Sequence, residues 1–311
     1  MAILGIDTSN YTTSIAVVDR KGKILCDLRE VLKVPIGQNG LRQSEAFFQH
    51  SQNLPKLINK LKQLDIIQQL EAIAVSKSPR NSEKSYMPVF MAGTNIAAIL
   101  SDAMSLPIHF CSHQEGHIYA GMFPSNLQPP FIALHLSGGT TDLLNVQAED
   151  DFRLKINQLG SSSDLHCGQF IDRIGVKLGL TFPCGQAMEK MAMQCKSPQK
   201  GLIPSVVKGG EASFSGPLTK ATGLLSEGSV SANELSYNVF HTVAKTAEKM
   251  IRYGVGQTNL NKVLLVGGVA SNKQIRAWLK HRLRLKLYFA NAELSRDNGV
   301  GVALMGLKAL E

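Results

Sequence analysis

The 311-residue sequence lacks the features that mark membrane, secreted and cysteine-based proteins. No apolar run reaches the roughly 18 residues that a membrane-spanning helix needs, and the first residues contain neither the basic stretch nor the cleavage site of a secretory signal. The five cysteines are odd in number and contain no C-x-x-C spacing, which argues against a disulfide framework and a cysteine zinc site. The sequence therefore predicts a cytoplasmic protein that has no membrane partner.

Positive charge, in contrast, is in excess. The formal net charge of +9 is compatible with a polyanionic partner such as RNA. The densest group of cations is called the basic cluster below and consists of Lys273, Arg276, Lys280, Arg282, Arg284 and Lys286. Its first three members are spaced to share one side of a helix, and its last two share one face of an alternating run. Two interpretations remain open, a nucleic-acid surface or a solvated edge strand that its cations protect.

Two histidines four residues apart, His113 and His117, follow a short apolar run. On a helix they lie on one face and can direct ring nitrogens at one cation, an arrangement that suits zinc or iron. In a zinc protease the general-base Glu directly follows the first His. In this chain Gln114 occupies that position, and Glu115, one residue later, is rotated from it by about 100° around the helix axis. The protease motif is therefore not matched, and by itself the pattern leaves two interpretations open, a metal site or two ordinary helix histidines.

A weak internal repeat predicts the architecture. Predicted strands at 2–9, 14–19 and 24–28 precede a helix at 44–64, and predicted strands at 131–136, 143–147 and 152–159 precede a helix at 164–178. With 311 residues, two lobes are expected. Duplicated β-β-β-α units predict an α/β protein with the two-lobed actin-like ATPase fold of sugar kinases and Hsp70. We expect an N-terminal lobe at 1–125 and a C-terminal lobe at 126–311, facing each other across a nucleotide cleft.

Two glycine turns are candidates for that nucleotide. Gly138 and Gly139 lie between two predicted strands, and Gly267 and Gly268 separate a buried strand from a helix that begins near Asn272. Glycines let the backbone approach a ligand closely, and amide N–H groups and helix N-termini favour phosphate. The alternative is a plain hairpin turn and a plain loop between strand and helix.

Seven short segments together carry a resemblance: Gly5-Ile6-Asp7-Thr8-Ser9, His113-x-Glu115-Gly116-His117, Ser137-Gly138-Gly139, Phe170-Ile171-Asp172, Ser213-Phe214-Ser215-Gly216, Val266-Gly267-Gly268-Val269-Ala270-Ser271-Asn272 and Ser295-Arg296-Asp297-Asn298-Gly299. In this order they resemble the tRNA threonylcarbamoyladenosine synthase family, also known as O-sialoglycoprotein endopeptidases or glycoproteases. The resemblance covers nearly the whole chain. It implies the actin-like ATPase fold and an acyltransferase that moves a threonylcarbamoyl group from threonylcarbamoyl-adenylate to N6 of the adenosine 3′ of the tRNA anticodon, releasing AMP.

The resemblance also implies the ligands and the residues that bind them. One divalent metal, iron or zinc, would be held by His113, His117 and Asp297. An adenine nucleotide or acyl-adenylate would be bound by Leu136, Ser137, Gly138, Gly139, Thr140, Asp172, Gly185, Glu189, Gly267, Gly268 and Asn272. The partners implied are tRNA and, in a homodimer or heterodimer, a second copy or a related actin-like subunit.

The chain departs from the family's pattern where acidic residues are usual. Tyr11 and Thr12 follow the first Thr-Ser pair, and Leu165 and Gln169 stand in a segment that is acidic in the family. The chain is thus typical of a diverged paralogue. Because lost carboxylates can remove the general base, that catalytic residue stays unassigned. Two alternatives follow, a non-catalytic nucleotide-binding partner subunit or a carbamoyltransferase that acts on a non-tRNA acceptor.

Overall fold

The computed structural model describes residues 1–9, 11–35, 40–81, 85–150, 153–291, 293–295 and 299–311, which form two compact units. Unit 1 comprises Met1–Leu127, Ala148–Leu154 and Ala290–Glu311, and unit 2 comprises Gln128–Gln147 and Lys155–Phe289. The lobe boundaries at 1–125 and 126–311 stay a prediction, and the segment Ala290–Glu311 groups with unit 1. Within the described ranges, no helix has the length and apolar character that would let it cross a membrane.

The helices and strands alternate in a mixed α/β pattern. The strands are β1 (Ala2–Asp7), β2 (Thr12–Asp19), β3 (Ile24–Val31), β4 (Leu70–Ser78), β5 (Ile108–Ser112), β6 (Phe131–Leu136), β7 (Thr141–Ala148), β8 (Leu154–Ser161), β9 (Val206–Lys208), β10 (Glu211–Ser213), β11 (Lys262–Val266) and β12 (Lys286–Phe289). The helices are α1 (Gln43–Gln63), α2 (Met91–Met104), α3 (His113–Met122), α4 (Cys167–Lys177), α5 (Gly185–Gln194), α6 (Ser215–Ser226), α7 (Ala232–Thr258), α8 (Lys273–Arg282) and α9 (Gly299–Lys308).

Unit 1 is built on a sheet with the strand order β3-β2-β1-β4-β5 in the part of the chain that the structure describes. Strands β1, β2 and β3 form an antiparallel meander, and β4 and β5 run parallel to β1. All six residues of β1 are buried because helices cover both faces of the sheet. Leu4 packs with Leu57 of α1 in one core cluster, while Gly5 faces Ala303 of α9 on the other side.

Unit 2 repeats this plan with the strand order β12-β11-β6-β7-β8, again for the described residues. The predicted meander is confirmed, since β6 and β7 pair antiparallel and β8 follows, while β11 runs parallel to β6. Residues Ile132 and Leu134 of β6 join a core with Phe170 of α4 and Val243 of α7. Each end of the six strands β1, β2, β3, β6, β7 and β8 lies within three residues of the predicted end.

Candidate functional site

Helix α3 begins at His113 because of a capping box. The Ser112 hydroxyl accepts the Glu115 backbone N–H at 3.2 Å, and the Glu115 carboxylate accepts the Ser112 backbone N–H at 2.8 Å. Such reciprocal bonds satisfy N–H groups that have no partner within the helix. Glu115 is therefore committed to the helix end, in agreement with the conclusion that the protease motif is not matched.

The two histidines of α3 meet through their ring nitrogens. The Nε2 atoms of His113 and His117 lie 3.1 Å apart, and His117 is only 4% exposed. Two nitrogens bound tetrahedrally to one zinc ion at about 2.0–2.1 Å would be roughly 3.3 Å apart, close to the observed spacing. The spacing thus fits two ligands of a shared metal. The third predicted ligand, Asp297, lies outside the described residues, within which no group of three or more His, Cys, Asp or Glu side chains suits a metal ion.

A carboxylate that was not assigned a role from sequence, Asp7, supports His113. Asp7 is the last residue of the buried strand β1 and is itself fully buried. Its carboxylate lies 3.2 Å from Nδ1 of His113. Hydroxyls of Ser9 and Ser76 donate to the same carboxylate. A carboxylate can only accept, so it favours the histidine tautomer with the proton on Nδ1 and a lone pair on Nε2. The available signal was an Asp at the carboxyl end of a buried strand.

The two predicted glycine turns lie side by side at the carboxyl ends of two neighbouring strands in the unit 2 sheet. Strands β6 and β11 are parallel neighbours with His135 opposite Val266, so the turns that follow them are adjacent. The first turn is closed by a 2.8 Å hydrogen bond from Ser137 N–H to the Thr140 carbonyl. Gly267 has a φ of +92°, and a Cβ atom there would lie 2.3 Å from the Leu136 carbonyl oxygen. The two backbone segments approach each other this closely only because Gly267 has no side chain.

Other glycines of this group have open space beside them. A Cβ atom built on Gly138, Gly185 or Gly268 would meet no heavy atom within 4 Å. Gly168 at the start of α4 differs, because its Cβ would lie 2.6 Å from the Gly138 Cα. Gly168 and Gly267 are therefore needed for close packing, whereas Gly138, Gly185 and Gly268 leave their backbone uncovered. A phosphate or nucleoside can approach the backbone at these uncovered positions.

The three polar side chains predicted to bind the nucleotide, Asp172, Glu189 and Asn272, each accept a backbone N–H within the protein. Asp172 accepts the Cys184 N–H at 2.8 Å beside Gly185, and burial raises the pKa of its carboxyl against that hydrogen bond. Glu189 accepts the Lys273 N–H at 2.7 Å, and the Asn272 side chain caps α8 by accepting the Ile275 N–H at 2.9 Å. The structure thus brings Asp172 beside Gly185, and Glu189 beside Asn272.

Comparison with known proteins identifies the family. Residues 35–304 match the model of the TsaD family, described as tRNA N6-adenosine threonylcarbamoyltransferase. The chain belongs to the TsaD family. Relatives that bear the same description come from Thermococcus gammatolerans (30% identity over 314 residues, covering 99% of this chain and 91% of the relative), Thermus thermophilus (30% over 312, 98% and 91%) and Archaeoglobus fulgidus (27% over 310, 99% and 91%). The prediction of an acyltransferase enzyme is confirmed by this membership.

Solved structures confirm the predicted fold of this TsaD-family chain. Component A of (R)-2-hydroxyglutaryl-CoA dehydratase from Acidaminococcus fermentans is 14% identical, with a TM-score of 0.62 over 99% of both chains. HypF of T. kodakarensis is 14% identical, with a TM-score of 0.64 over 99% of this chain and 48% of HypF. A ROK family glucokinase from Streptomyces griseus is 12% identical, with a TM-score of 0.52 over 97% and 98%. The shared feature is the actin-like ATPase fold.

Asp164 is bound to one of the segments that carry the family resemblance, Ser213-Phe214-Ser215-Gly216. Its carboxylate accepts the Ser213 hydroxyl at 2.6 Å, the Phe214 N–H at 2.8 Å and the Ser215 N–H at 3.0 Å at the start of α6. Burial alone would raise the pKa of Asp164, but these hydrogen bonds outweigh it and hold the pKa well below its usual range. The ionised carboxylate thus satisfies two backbone N–H groups at the start of α6, where the helix itself offers no acceptor.

We expect Asp164→Ala to lower the free energy of unfolding by about 1–2 kcal/mol at pH 7, a value reduced for the exposure of this side chain. Because folding lowers the pKa of Asp164, its stabilising effect is fully present above the unfolded pKa of about 3.9 and declines progressively as pH falls from there through the lower folded pKa. Urea unfolding between pH 7 and pH 3 should show wild type and variant converging in acid. Asp102→Ala, an exposed carboxylate on α2, serves as control; a difference independent of pH would contradict this account.

For the basic cluster the structure bears on the edge-strand interpretation, and the nucleic-acid surface stays a prediction. Strand β12, which holds Lys286, is an edge strand of the described sheet. The Arg276 guanidinium and the Lys280 ammonium lie 5.1 and 5.3 Å from the Phe289 ring centroid, which indicates packing on that ring. Lys273, Arg284 and Lys286 are exposed, and no ion pair is recorded for them among the described residues. These three are the cations of the cluster most available to an external phosphate.

Proposed function

We propose that this chain transfers a threonylcarbamoyl group from threonylcarbamoyl-adenylate to N6 of the adenosine 3′ of the tRNA anticodon, releasing AMP. The match of residues 35–304 to the TsaD family model carries the proposal, because it spans both units and its description names the group transferred and the acceptor. The adenylate donor, the metal and the residue roles that follow are parts of the same proposal.

One divalent metal, iron or zinc, would be held by His113, His117 and Asp297. When bound, such an ion supplies Lewis-acid polarisation of a carbonyl or phosphate oxygen. Asp7 keeps the proton of His113 on Nδ1, which leaves Nε2 free to act as a ligand. The 3.1 Å spacing of the two Nε2 atoms supports this role.

The adenylate part of the donor would occupy the bare backbone of the glycine turns in unit 2. Backbone N–H groups near Gly138 and Gly268 would bind the phosphate, and holding the departing AMP there stabilises the leaving group. Asp172 or Glu189 would accept the ribose hydroxyls, since each carboxylate has an oxygen beyond the one that its backbone partner uses.

The charge distribution supports a nucleic-acid acceptor. Residues 235–292 contain ten Lys and Arg and one acidic residue, so their charge of +9 equals that of the whole chain. Such concentrated charge favours a polyanion. A second copy or related actin-like subunit as partner, and a cytoplasmic location, stay predictions.

Transfer can be tested directly. Purified chain, incubated with ATP, bicarbonate, threonine, an adenylate-making enzyme and tRNA, should yield N6-threonylcarbamoyladenosine by mass spectrometry of digested tRNA. The assay should be run with and without candidate partner subunits. Hydrolysis of the adenylate with no modified adenosine would favour a non-tRNA acceptor, and nucleotide binding without turnover would favour the non-catalytic subunit.

We further expect that replacing Lys273, Lys280, Arg284 and Lys286 by Gln together will abolish tRNA binding at physiological salt. Each cation that contacts a phosphate contributes about one to the slope of log affinity against log salt, so the slope should fall by up to about four. Labelled-tRNA anisotropy at several salt concentrations measures this slope. AMP binding serves as the control and should be unchanged. An unaltered salt slope would show that tRNA does not bind at these four residues.

A further inference from the structure

A buried carboxylate, Glu248, ties helix α7 to helix α8. Glu248 is 8% exposed, and it accepts the Arg252 Nε–H at 3.0 Å and the Trp278 Nε1–H at 2.9 Å. The Arg282 Nε atom lies 3.5 Å from the same carboxylate. Burial alone would raise the pKa of Glu248, but hydrogen bonds from Arg252 and Trp278 and the charge of Arg282 hold the pKa below its usual range.

The two arginines are fixed in position, yet half exposed. Their side chains are 55% and 50% accessible, for Arg252 and Arg282 respectively. Arg252 also donates to the Arg282 carbonyl at 2.9 Å, and the Arg282 guanidinium lies 5.7 Å from the Trp278 ring centroid. Each guanidinium has five N–H donors, and no described residue is recorded as accepting from the terminal nitrogens of Arg282 or from Nη1 of Arg252.

Glu248 is also the only acidic residue between Glu234 and Glu293. A surface selected only for positive charge would gain from losing it. Its position beneath two guanidiniums and an indole instead suggests a role in ordering them. Arginine held in this way presents a planar fork that matches a phosphate and loses little side-chain freedom when it binds.

We propose that Arg252 and Arg282 form a phosphate-binding pair for the RNA backbone, and that Glu248 is the positioning residue that orders the pair. The proposal rests on the proposed function, because it takes the acceptor to be tRNA. It adds Arg252, on α7, to the basic cluster, of which Arg282 is already a member.

The variant Glu248→Gln separates positioning from charge, because the two predict opposite signs. Removing the carboxylate raises the net charge by one, so electrostatics alone predicts tighter tRNA binding. Loss of the ordered pair predicts binding about fivefold weaker, the cost of ordering one long side chain on association. Glu227→Gln in unit 2 makes the same charge change at an exposed site and should leave affinity equal or slightly higher.

Arg282→Lys provides a second variant that does not depend on the buried carboxylate. It keeps the charge but loses the fork, so we again expect binding about fivefold weaker. Trp278 is the only tryptophan in the chain, so its fluorescence reports on this patch alone. Wild-type emission, excited at 295 nm and corrected for absorption by RNA, should change on saturation with tRNA and recover with added salt. Urea unfolding of each variant confirms that it is folded at the assay temperature.

The outcomes separate this proposal from the proposed function. If wild type forms the modified adenosine and binds tRNA, but Glu248→Gln and Arg282→Lys bind as tightly and Trp278 emission is unchanged, the arginine pair is overturned and the function stands. Tighter binding by Glu248→Gln likewise overturns the positioning role. If wild type neither binds tRNA nor modifies it, both proposals fail. Weaker binding by both variants, with Glu227→Gln unaffected, supports the pair.

Discussion

Replacing Gly267 with valine should destabilise unit 2 severely, whereas the same change at its neighbour Gly268 should spare the fold and abolish nucleotide binding. At Gly267 the φ of +92° and a Cβ position 2.3 Å from the Leu136 carbonyl oxygen both exclude a side chain. Backbone strain of about 1–2 kcal/mol adds to that clash, so we expect a loss of more than about 3 kcal/mol. Gly268 has an ordinary φ of −59° and no heavy atom within 4 Å of its Cβ position.

Urea unfolding and AMP calorimetry on the two variants measure these effects. Gly168→Val and Gly138→Val form a second matched pair, with a tightly packed position and an open one in the same unit. Gly256→Val on α7, also open, controls for valine in this unit. If Gly138→Val and Gly268→Val bind AMP with unchanged affinity, the glycine turns are only turns.

The double variant His113→Ala, His117→Ala should lose the bound metal and reduce transfer by more than about 100-fold. Loss of an outer partner of a metal ligand typically costs about 10–100-fold, so loss of two direct ligands should exceed that range. Asp7→Asn should fall within it, since the imidazoles remain but His113 then faces a neutral amide, which can donate as well as accept and so no longer fixes the tautomer.

Elemental analysis of protein purified without chelator gives the metal content of each variant. His281→Ala, an exposed histidine on α8, should leave the content unchanged. A metal-free wild type that also takes up no added iron or zinc would remove the metal from the proposal, and normal metal content in the double variant would move it to other residues.

The fold was accessible from sequence because its strongest signals are local. Buried strands such as β6 are continuous apolar runs bounded by turn residues, and the second meander repeats the first. Strand β3 is longer than predicted because Arg29 is polar and half-buried and Glu30 and Val31 are exposed, so the buried apolar pattern ends before the hydrogen-bonded strand does. Helix α4 begins three residues later than predicted, and Asp164, where the predicted helix begins, instead accepts the Phe214 and Ser215 N–H groups at the start of α6.

The candidate site was only partly accessible. The helical spacing of His113 and His117 and the two glycine turns are local patterns, so the sequence contains them. Asp7 reaches His113 from 106 residues away, and Glu248 reaches Trp278 across 30 residues. Such partners depend on strand order and helix packing, which spacing along the chain does not encode. For the same reason the sequence places Arg282 in the basic cluster without indicating its contact with Glu248.

The order of segments along the chain has a consequence for its synthesis. Helix α9 packs against Gly5 of β1, but the ribosome makes it only after all of unit 2. During the synthesis of Gln128–Phe289, the face of the unit 1 sheet that α9 later covers therefore stays exposed. An exposed apolar sheet face is prone to aggregate, so we expect nascent chains halted before residue 299 to depend on chaperones more than chains that already carry α9.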